Sequence, residues 1–377
     1  MAKIKVVQVS SDTNIGGAGK CILTFLKNYD RARFEICAVI PKNSLLKPEM
    51  EKLGIKIYEA EHIADKSLSI KGISELRKIF GDIKPDIVHT HGAMSGRIAA
   101  KSRGIKTVFT RHSVFPPSAR ISKGIGKKIN GFVNDKTADK IIAVAQAAKD
   151  NLTATGVCEK KIDVILNGVS PLREYTPEEL KSAREKFGLA DGQKSAAIVA
   201  RLNTVKGHKY FVEAAKAVTD SGIDAKFFIA GTGDAEDEIR EQINSLGLSE
   251  RVIMLGFMDN VEPLMNVMDV QLNCSFGTEA TSLSLLEGMS IGKPAVVTDF
   301  GGNPGVIEDG VNGFLVPTKN PDKMAEKIRL LLEDDELYGT LSENSRRIYK
   351  EKFTESVYTK NIEKIYLSLG GGKNGKA

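Results

Sequence analysis

The chain has 377 residues, more than one hydrophobic core usually holds, so we expect two domains. Its hydrophobic content of 41% is typical of a globular protein, and no apolar run approaches the length of a membrane span. The net charge of +6 divides unevenly, because residues 1–170 carry 29 basic and 16 acidic side chains whereas residues 171–377 carry 25 and 32. Two halves of opposite charge are expected to have different partners.

Short apolar runs alternate with helix-length segments along the chain. They are KIKVVQVS, FEICAVI, DIVHTH, KTVFTRH, KIIAVA and KIDVILNG, followed by SAAIVAR, KFFIAGTG, RVIMLGF, VMDVQLNCS and KPAVVTD. Runs this apolar are typical of parallel strands covered by helices on both faces. The predicted class is therefore α/β, with two Rossmann-like, doubly wound domains that face each other across a cleft.

The alternation breaks once, at LNGVSPLREYTPEELKSAREKFGLADGQK. A strand ends there at Gly168, and Pro171 and Pro177 precede an isolated charged helix, at the point where the charge reverses. We therefore place the linker there. The predicted domains are residues 1–170, residues 171–355, a C-terminal helix over 356–369 that crosses back to the first domain, and a disordered tail over 370–377.

Two carboxylates, Glu279 and Glu287, flank a predicted helix start in FGTEATSLSLLEGMSIGKPAVVTDFGG. Thr281 or Ser282 is placed to cap this helix, whose free backbone N–H groups favour a phosphate. Acids beside such a start would not help to bind a bare phosphate. Each carboxylate can, however, accept hydrogen bonds from two hydroxyl groups, so the ligand is predicted to carry sugars as well.

Positive charges for the phosphates are predicted at another strand end, in VARLNTVKGH. Arg201 offers a planar fork and Lys206 a point charge, a combination that suits a diphosphate. The strand ends FFIAGTGD and IMLGFMDNV add places where a nucleoside could lie. The residues therefore predict a nucleotide sugar, with one acid on its sugar and the other on its ribose.

These residues resemble retaining glycosyltransferases of family 4, which have the GT-B fold. The resemblance rests on the E-x7-E spacing from Glu279, the R-x4-K-G run from Arg201, LNGV at 166–169, GG at 16–17 and the block GKPAVVTDFGGNPGVIEDGVNGFLVP. It covers roughly residues 5 to 365. One departure is visible, because family members usually have Pro-Glu where this chain has Pro304-Gly305.

The resemblance implies a role for each residue of the donor site. Arg201 and Lys206 would bind the pyrophosphate, and Glu287 would bind the ribose hydroxyls. Three backbone positions would contact the sugar and the phosphate: Thr281, Ser282 and Leu283.

The same resemblance implies two catalytic residues and a glycine pair. Glu279 would hold the transferred sugar, and His112 would touch that sugar near the reacting centre. Gly16 and Gly17 would let the first loop approach the phosphates.

The implied activity is transfer of a sugar from a nucleoside-diphosphate sugar to a hydroxyl group of a glycan or a lipid-linked acceptor, in cell-envelope or surface polysaccharide synthesis. UDP is expected in preference to GDP. No D-x-D motif occurs, and no Cys pairs with another Cys or with a His at metal-ligand spacing, so we expect a metal-independent hexosyltransferase without a cofactor. The basic residues and the helix start would neutralise the departing diphosphate, and front-face attack would retain the configuration.

Other functions remain open at this point. SDTNIGGAGKC is close to a P-loop, but Asn14 stands in place of the first glycine and Cys21 in place of the Mg²⁺-binding hydroxyl. A non-catalytic protein that binds a nucleotide sugar or a glycan is the alternative from another class, although the chain has no Trp and only 6% aromatic residues. A GT-B sugar phosphorylase or epimerase is the nearer alternative.

One long stretch, between Asp86 and Asp135, contains no acidic residue. It holds nine basic ones: Arg97, Lys101, Arg103, Lys106, Arg111, Arg120, Lys123, Lys127 and Lys128. A helix is predicted over 123–137, with an apolar stripe beside its lysines formed by Ile125, Ile129, Phe132 and Val133.

This basic stretch allows two interpretations. The stripe covers a core beneath an ordinary solvated face, or the face over residues 97–128 meets an anionic partner. That partner would be a membrane surface with a lipid-linked acceptor, or an acidic glycan, and not a nucleic acid. The start MAKIKVVQVS lacks a signal-peptide pattern, so we expect a cytoplasmic protein, with attachment at the inner face of the membrane under the membrane interpretation.

Overall fold

The computed structural model describes residues 2–370. A disordered tail was predicted over residues 370–377. Gly370 is instead the last residue of the final helix, and residues 371–377 lie outside the described residues. The chain divides into two compact units: unit 1 runs to Val169 and resumes at Glu355, and unit 2 is Ser170–Thr354. Within unit 1 the two chain passages meet, because the backbone N–H of Glu355 donates to the carbonyl oxygen of Val169 at 3.2 Å.

Unit 1 contains a seven-stranded parallel sheet in the order β3-β2-β1-β4-β5-β6-β7. Its strands are β1 Ile4–Ser10, β2 Phe34–Pro41, β3 Lys56–Ala60, β4 Ile87–His91, β5 Lys106–Arg111, β6 Lys140–Ala143 and β7 Ile162–Val164. Its helices are α1 Gly17–Asn28, α2 Leu46–Lys52, α3 Ile70–Ile83, α4 Met94–Lys101, α5 Ala119–Ser122, α6 Gly124–Thr137 and α7 Gln146–Ala154, with a 3-10 turn at Glu159–Lys161.

Unit 2 contains a six-stranded parallel sheet in the order β10-β9-β8-β11-β12-β13. Its strands are β8 Lys194–Val199, β9 Ala225–Ala230, β10 Val252–Gly256, β11 Val270–Asn273, β12 Ala295–Thr298 and β13 Gly313–Val316. Its helices are α8 Pro177–Lys186, α9 His208–Asp220, α10 Glu236–Ser245, α11 Glu262–Val267, α12 Leu283–Ser290, α13 Pro321–Glu333 and α14 Asp335–Lys352, with 3-10 turns at Thr204–Lys206 and Asn303–Gly305. The last helix of the chain, α15 Glu355–Gly370, belongs to unit 1.

Both sheets confirm the predicted α/β class, because each apolar run named above contains a strand. The central strands are almost fully buried; Val6, Val7 and Val9 of β1 have no exposed surface. Two strands, β3 and β13, were not predicted from the sequence, and both lie at a sheet edge. β3 has the sequence KIYEA, with two charged side chains and mostly exposed or partly exposed residues, so its apolar signal is weak. β13 is a buried run of only four residues, GFLV, which is too short to stand out.

The C-terminal helix completes the core of unit 1. Tyr358 and Tyr366 are fully buried, and the ring of Tyr366 makes edge contacts with Phe25 and Phe34. Fully burying an aromatic side chain contributes about 1.5–3 kcal/mol, so α15 stabilises unit 1 substantially. Across residues 2–370, no helix combines the length and the apolar character that crossing a membrane requires.

Candidate active site

In unit 2, the predicted donor residues follow the two strands at which the order of the sheet reverses. Arg201 comes after β8, and Lys206 ends the 3-10 turn that precedes α9. Glu279 lies in the loop between the neighbouring strand β11 and α12. Ligands of doubly wound sheets bind at this reversal, beyond the carboxyl ends of the strands.

Glu279 is the centre of a buried polar cluster. Its side chain is 5% exposed, and its Oε2 atom accepts three hydrogen bonds: from Lys206 Nζ at 2.8 Å, Asn273 Nδ2 at 2.9 Å and Ser275 Oγ at 2.8 Å. Within residues 2–370, Oε1 makes no hydrogen bond. One oxygen is therefore fully used by the protein, while the other retains its capacity to accept.

Two glycines allow the backbone of this cluster to pack closely. Gly207 has a φ of +73°, and a Cβ there would lie 2.1 Å from the carbonyl oxygen of Cys274. Gly301 has a φ of +60°, and a Cβ there would lie 2.3 Å from the carbonyl oxygen of Glu279. Because any larger side chain would clash with backbone, glycine at both positions holds the Lys206 turn and the Glu279 loop in place.

The predicted helix start is present, and Ser282 is the N-cap residue of α12, as one of the two predicted alternatives has it. Its hydroxyl lies 3.0 Å from that of Ser284 and caps no backbone N–H. Thr281, Leu283 and Glu287 are partly exposed at this end of the helix or within its second turn. The side chain of Arg201 is exposed and makes neither a hydrogen bond nor an ion pair with the described part of the chain.

In unit 1, Gly16 and Gly17 form the N-terminus of α1. Neither has a positive φ, and a Cβ at either position would meet no atom within 4 Å. The fold itself therefore does not require glycine at these two positions.

His112 follows β5 and belongs to a chain of buried polar side chains. Its Nε2 lies 2.8 Å from Nδ1 of His91, whose Nε2 lies 2.8 Å from Oε1 of Gln8. The amide nitrogen of Gln8 donates to the hydroxyl of Tyr366 at 2.7 Å, and that hydroxyl lies 2.6 Å from Nδ1 of His89.

These contacts define the protonation of His112. Because Oε1 of Gln8 can only accept, His91 carries its proton on Nε2, and its Nδ1 accepts from Nε2–H of His112. Burial lowers the pKa of His112 to about 4 and that of His89 to about 3, and it lowers the pKa of His91 well below its usual value. All three rings are therefore neutral at pH 7, and His112 is left with Nδ1 as an acceptor.

Sequence reasoning missed three members of this chain, Gln8, His89 and Tyr366. A signal for the first two was present, because Gln8 interrupts the apolar run of β1 and His89 begins the polar end of β4. The two residues pair directly across β1 and β4. Tyr366 carries no such signal, since an aromatic residue on an amphipathic helix is ordinarily a core residue.

The basic stretch between Asp86 and Asp135 does not form a single charged face, which corrects the prediction for residues 97–128. Arg97 is only 3% exposed, and Lys101 is paired with Asp139 at 2.5 Å. Arg111 is partly buried, and its Nε donates to the carbonyl oxygen of Ser113 at 3.0 Å.

The predicted helix over 123–137 is α6, but its apolar stripe does not cover a core. Ile125, Ile129 and Phe132 are 77%, 57% and 63% exposed. The buried residues of α6 are Gly131 and Asn134 instead. A Cβ on Gly131 would lie 2.0 Å from the carbonyl oxygen of Gly156, so this side of the helix packs directly on backbone and its apolar side is left in solvent.

The two sheets, each in Rossmann-type strand order, have the architecture of the GT-B fold. Two family models match the chain, Glycosyltransferase Family 4 over residues 15–173 and Glycosyl transferases group 1 over residues 181–348. The chain belongs to glycosyltransferase family 4, and it is a glycosyltransferase that uses nucleotide sugars.

Two relatives are similar over most of their length. The N-acetyl-alpha-D-glucosaminyl L-malate synthase of Bacillus anthracis is 28% identical over 299 residues, covering 77% of each chain. The UDP-Gal:alpha-D-GlcNAc-diphosphoundecaprenol alpha-1,3-galactosyltransferase of Escherichia coli is 25% identical over 381 residues, covering 98% of each. The crystal structure of Anabaena HepE in complex with UDP matches with a TM-score of 0.84 at 21% identity, covering 97% of this chain and 100% of that one.

Proposed function

We propose that the protein transfers a hexose from a UDP-sugar, with retention of configuration, to a hydroxyl group of a glycan or of a lipid-linked acceptor. The observation that carries this proposal is the pairing of Lys206 with Glu279 beside the start of α12. The cluster combines a cation for a diphosphate with a carboxylate oxygen, Oε1, that can still accept from a sugar hydroxyl. UDP is favoured because Anabaena HepE has been crystallised with UDP and with UDP-glucose.

The donor is assigned residue by residue. Arg201 and Lys206 bind the pyrophosphate, Glu287 binds the ribose hydroxyls, and backbone at 281–283 contacts phosphate and sugar. Gly16 and Gly17 face the phosphates, which is supported by the absence of any structural need for glycine at these positions.

The chemistry needs little from the side chains beyond positioning and charge. The acceptor oxygen forms a bond to the anomeric carbon while the bond from that carbon to the β-phosphate oxygen breaks, and UDP leaves with the bonding electron pair. The acceptor proton passes to the departing phosphate oxygen on the same face, so the configuration is retained.

Charge stabilisation of the departing UDP is assigned to Arg201, Lys206 and the N–H groups at the start of α12, without a divalent cation. Glu279 and His112 are assigned to the transferred sugar. Neutral His112, with Nδ1 as its acceptor, would take a hydrogen bond from a sugar hydroxyl.

We also propose that α6 attaches the enzyme to the surface of an anionic membrane, where a lipid-linked acceptor would be located. Its exposed Ile125, Ile129 and Phe132 lie on the same helix as the exposed Lys128, and the exposed Lys123 directly precedes that helix. Apolar side chains that enter the headgroup region and lysines that attract anionic lipids act together, each lysine contributing about 1 kcal/mol.

UDP affinity, measured by titration calorimetry, tests the donor assignment. Lys206→Met and Glu287→Gln are each expected to weaken UDP binding about tenfold to a hundredfold, since each loses a hydrogen bond that involves a charged group. Lys209→Met is the matched control, because Lys209 is an exposed lysine three residues further on. Equal UDP affinities in all four proteins, wild type included, would refute the assignment.

Glu279→Gln is expected to separate binding from transfer. The substitution removes the negative charge that is paired with the ammonium group of Lys206, so UDP affinity should stay the same or rise, while turnover of the UDP-sugar falls strongly. Proton NMR of the new glycosidic bond tests retention, and an inverted anomeric centre would contradict the mechanism.

Co-sedimentation with vesicles tests the attachment. Binding to anionic but not to neutral vesicles, lost at high salt and in an Ile125→Ser/Phe132→Ser variant, is expected. Failure of the wild type to bind anionic vesicles would refute it.

A further inference from the structure

A cavity of about 340 Å³ lies entirely within unit 1, beside His112. The residues that line it include two arginines, Arg97 and Arg111, together with Asn130 and Asn134. A volume of this size suits a small ligand or one end of a larger one. The donor assignment above uses only His112 from this wall, so the remaining polar groups have no role yet.

Arg97 is the unusual member of the wall, because it is a buried cation with incomplete hydrogen bonding. Its Nη1 donates to Asn134 Oδ1 at 2.9 Å and to Thr137 Oγ1 at 3.4 Å, and its guanidinium lies 4.1 Å from the centre of the Phe109 ring. Its Nε is buried and has no partner in the described part of the chain. An unsatisfied N–H of a buried cation is costly, so a fold retains one where another group satisfies it.

The two arginines have no carboxylate partner among the described residues. Neither guanidinium forms an ion pair within residues 2–370. Asp12 is the one acidic residue on the described wall, and burial and the charge of Asp65 raise its pKa, the opposite of what a paired cation would do. Burial, and then the charge of Arg111, lower the pKa of Arg97 to about 10, so both groups remain cations at pH 7. The neutral rings of His91 and His112 add no charge to the wall.

We infer that this cavity binds an oxyanion, a carboxylate or a phosphate, carried by the acceptor substrate, with Arg97 and Arg111 as its partners. Two guanidinium groups offer planar pairs of N–H donors that match either anion. The acid-free stretch between Asp86 and Asp135 then has a function in the interior of unit 1. The inference rests on the proposed function for one point, the assignment of the bound molecule to the acceptor.

The placement also defines what the acceptor looks like. His112 lines the same cavity, so the anionic group would share this cavity with the residue assigned to the transferred sugar. The acceptor is therefore expected to carry its charge close to the hydroxyl group that is glycosylated. Neutral sugars of the same shape should be poor acceptors, because they leave the two cations unpaired.

Anion binding is tested by calorimetry at low salt, with inorganic phosphate and with lactate. Saturating UDP is present so that the donor site is occupied and does not contribute to the measured heat. Saturable binding in the millimolar range is expected. Arg111→Gln and Arg97→Lys should each weaken it about tenfold, and Arg97→Lys keeps the charge in case larger changes at this buried position prevent folding. Lys106→Gln, an exposed cation of the same acid-free stretch, is the matched control and should bind as the wild type does.

Absence of saturable binding by the wild type, or an equal loss in Lys106→Gln, would overturn the inference. The measurement is repeated without nucleotide. If UDP itself fails to bind while the Arg111-dependent anion site persists, the proposed function fails and the anion site stands.

The acceptor assignment has its own test, which compares matched pairs of acceptors: glucuronate with glucose, and glucose 6-phosphate with glucose. A preference of at least about tenfold for one charged member, abolished in Arg111→Gln, is expected, and the favoured member distinguishes a carboxylate from a phosphate. Equal rates for the charged and neutral members of both pairs would contradict the assignment.

Discussion

The ion pair between Lys206 and Glu279 should be strongly coupled to the stability of unit 2. Glu279 is 5% exposed and the side chain of Lys206 is 21% exposed, so water screens their interaction little. In Lys206→Met, the buried carboxylate loses its cation and keeps two neutral donors, those of Asn273 and Ser275. Removing one partner of a buried pair costs about 3–5 kcal/mol, and the remaining donors place this site at about 3 kcal/mol.

In a protein that already carries Glu279→Gln, Lys206→Met should lower the free energy of unfolding far less. The Gln carbonyl oxygen can replace Oε2 as the acceptor, so only a hydrogen bond between Lys206 and a neutral group is lost, about 1 kcal/mol. The expected coupling energy is therefore about 2 kcal/mol, measured as the difference in the free energy of unfolding by urea across the four proteins of a double-mutant cycle. The exposed helix pair Lys216–Asp220, expected at about 0.3–0.5 kcal/mol, is the control. A coupling energy for Lys206–Glu279 no larger than that of the control would refute the reasoning.

Three further predictions concern acid stability, the first loop and metal removal. Because the pKa of His89 is lowered to about 3, the unfolded chain takes up a proton at this residue between pH 7 and pH 5, whereas the folded chain does not. Over this pH range, the free energy of unfolding by urea should therefore fall by about 2 kcal/mol more in wild type than in His89→Gln. Equal losses in the two proteins would contradict the burial of a neutral ring. Gly17→Ala should leave the unfolding midpoint unchanged or slightly higher while weakening UDP binding in calorimetry, and unaltered UDP affinity would remove this residue from the donor site. EDTA should leave the rate of sugar transfer unchanged, and a loss of rate that Mg²⁺ or Mn²⁺ restores would contradict the metal-free mechanism.

The central strands could be predicted from the sequence because their burial on both faces demands continuous apolar runs. The edge strand β3 could not, because it is mostly exposed or partly exposed and carries two charged side chains. β13 is mostly buried, but its apolar run has only four residues. For α6 the spacing of the apolar residues correctly predicted a helix, but this spacing does not determine which side of the helix faces the protein interior. That orientation follows from Gly131, whose close packing on Gly156 is a tertiary contact that no local pattern reports.

The strand-end rule brings Lys206 and Glu279 to the same edge of one sheet, although 73 residues separate them. It does not reveal that they pair with each other, because side-chain distances depend on the loops in between. The basic residues show the opposite failure. Counting charges along the chain treated Arg97 like Lys128, whereas one is buried in a cavity wall and the other lies on the surface.

The hydrogen bond between Glu355 and Val169 makes unit 2 an insertion within a continuous unit 1. The ribosome therefore delivers the first 169 residues, then all of unit 2, and only afterwards the helix that carries Tyr358 and Tyr366 into the unit 1 core. The core of unit 1 cannot be completed until α15 has been synthesised, and a chain truncated before α15 leaves the sites of two fully buried aromatic side chains empty. Conversely, deleting residues 170–354 and joining Val169 to Glu355 connects two ends that already lie side by side, which offers a route to unit 1 as a separate protein.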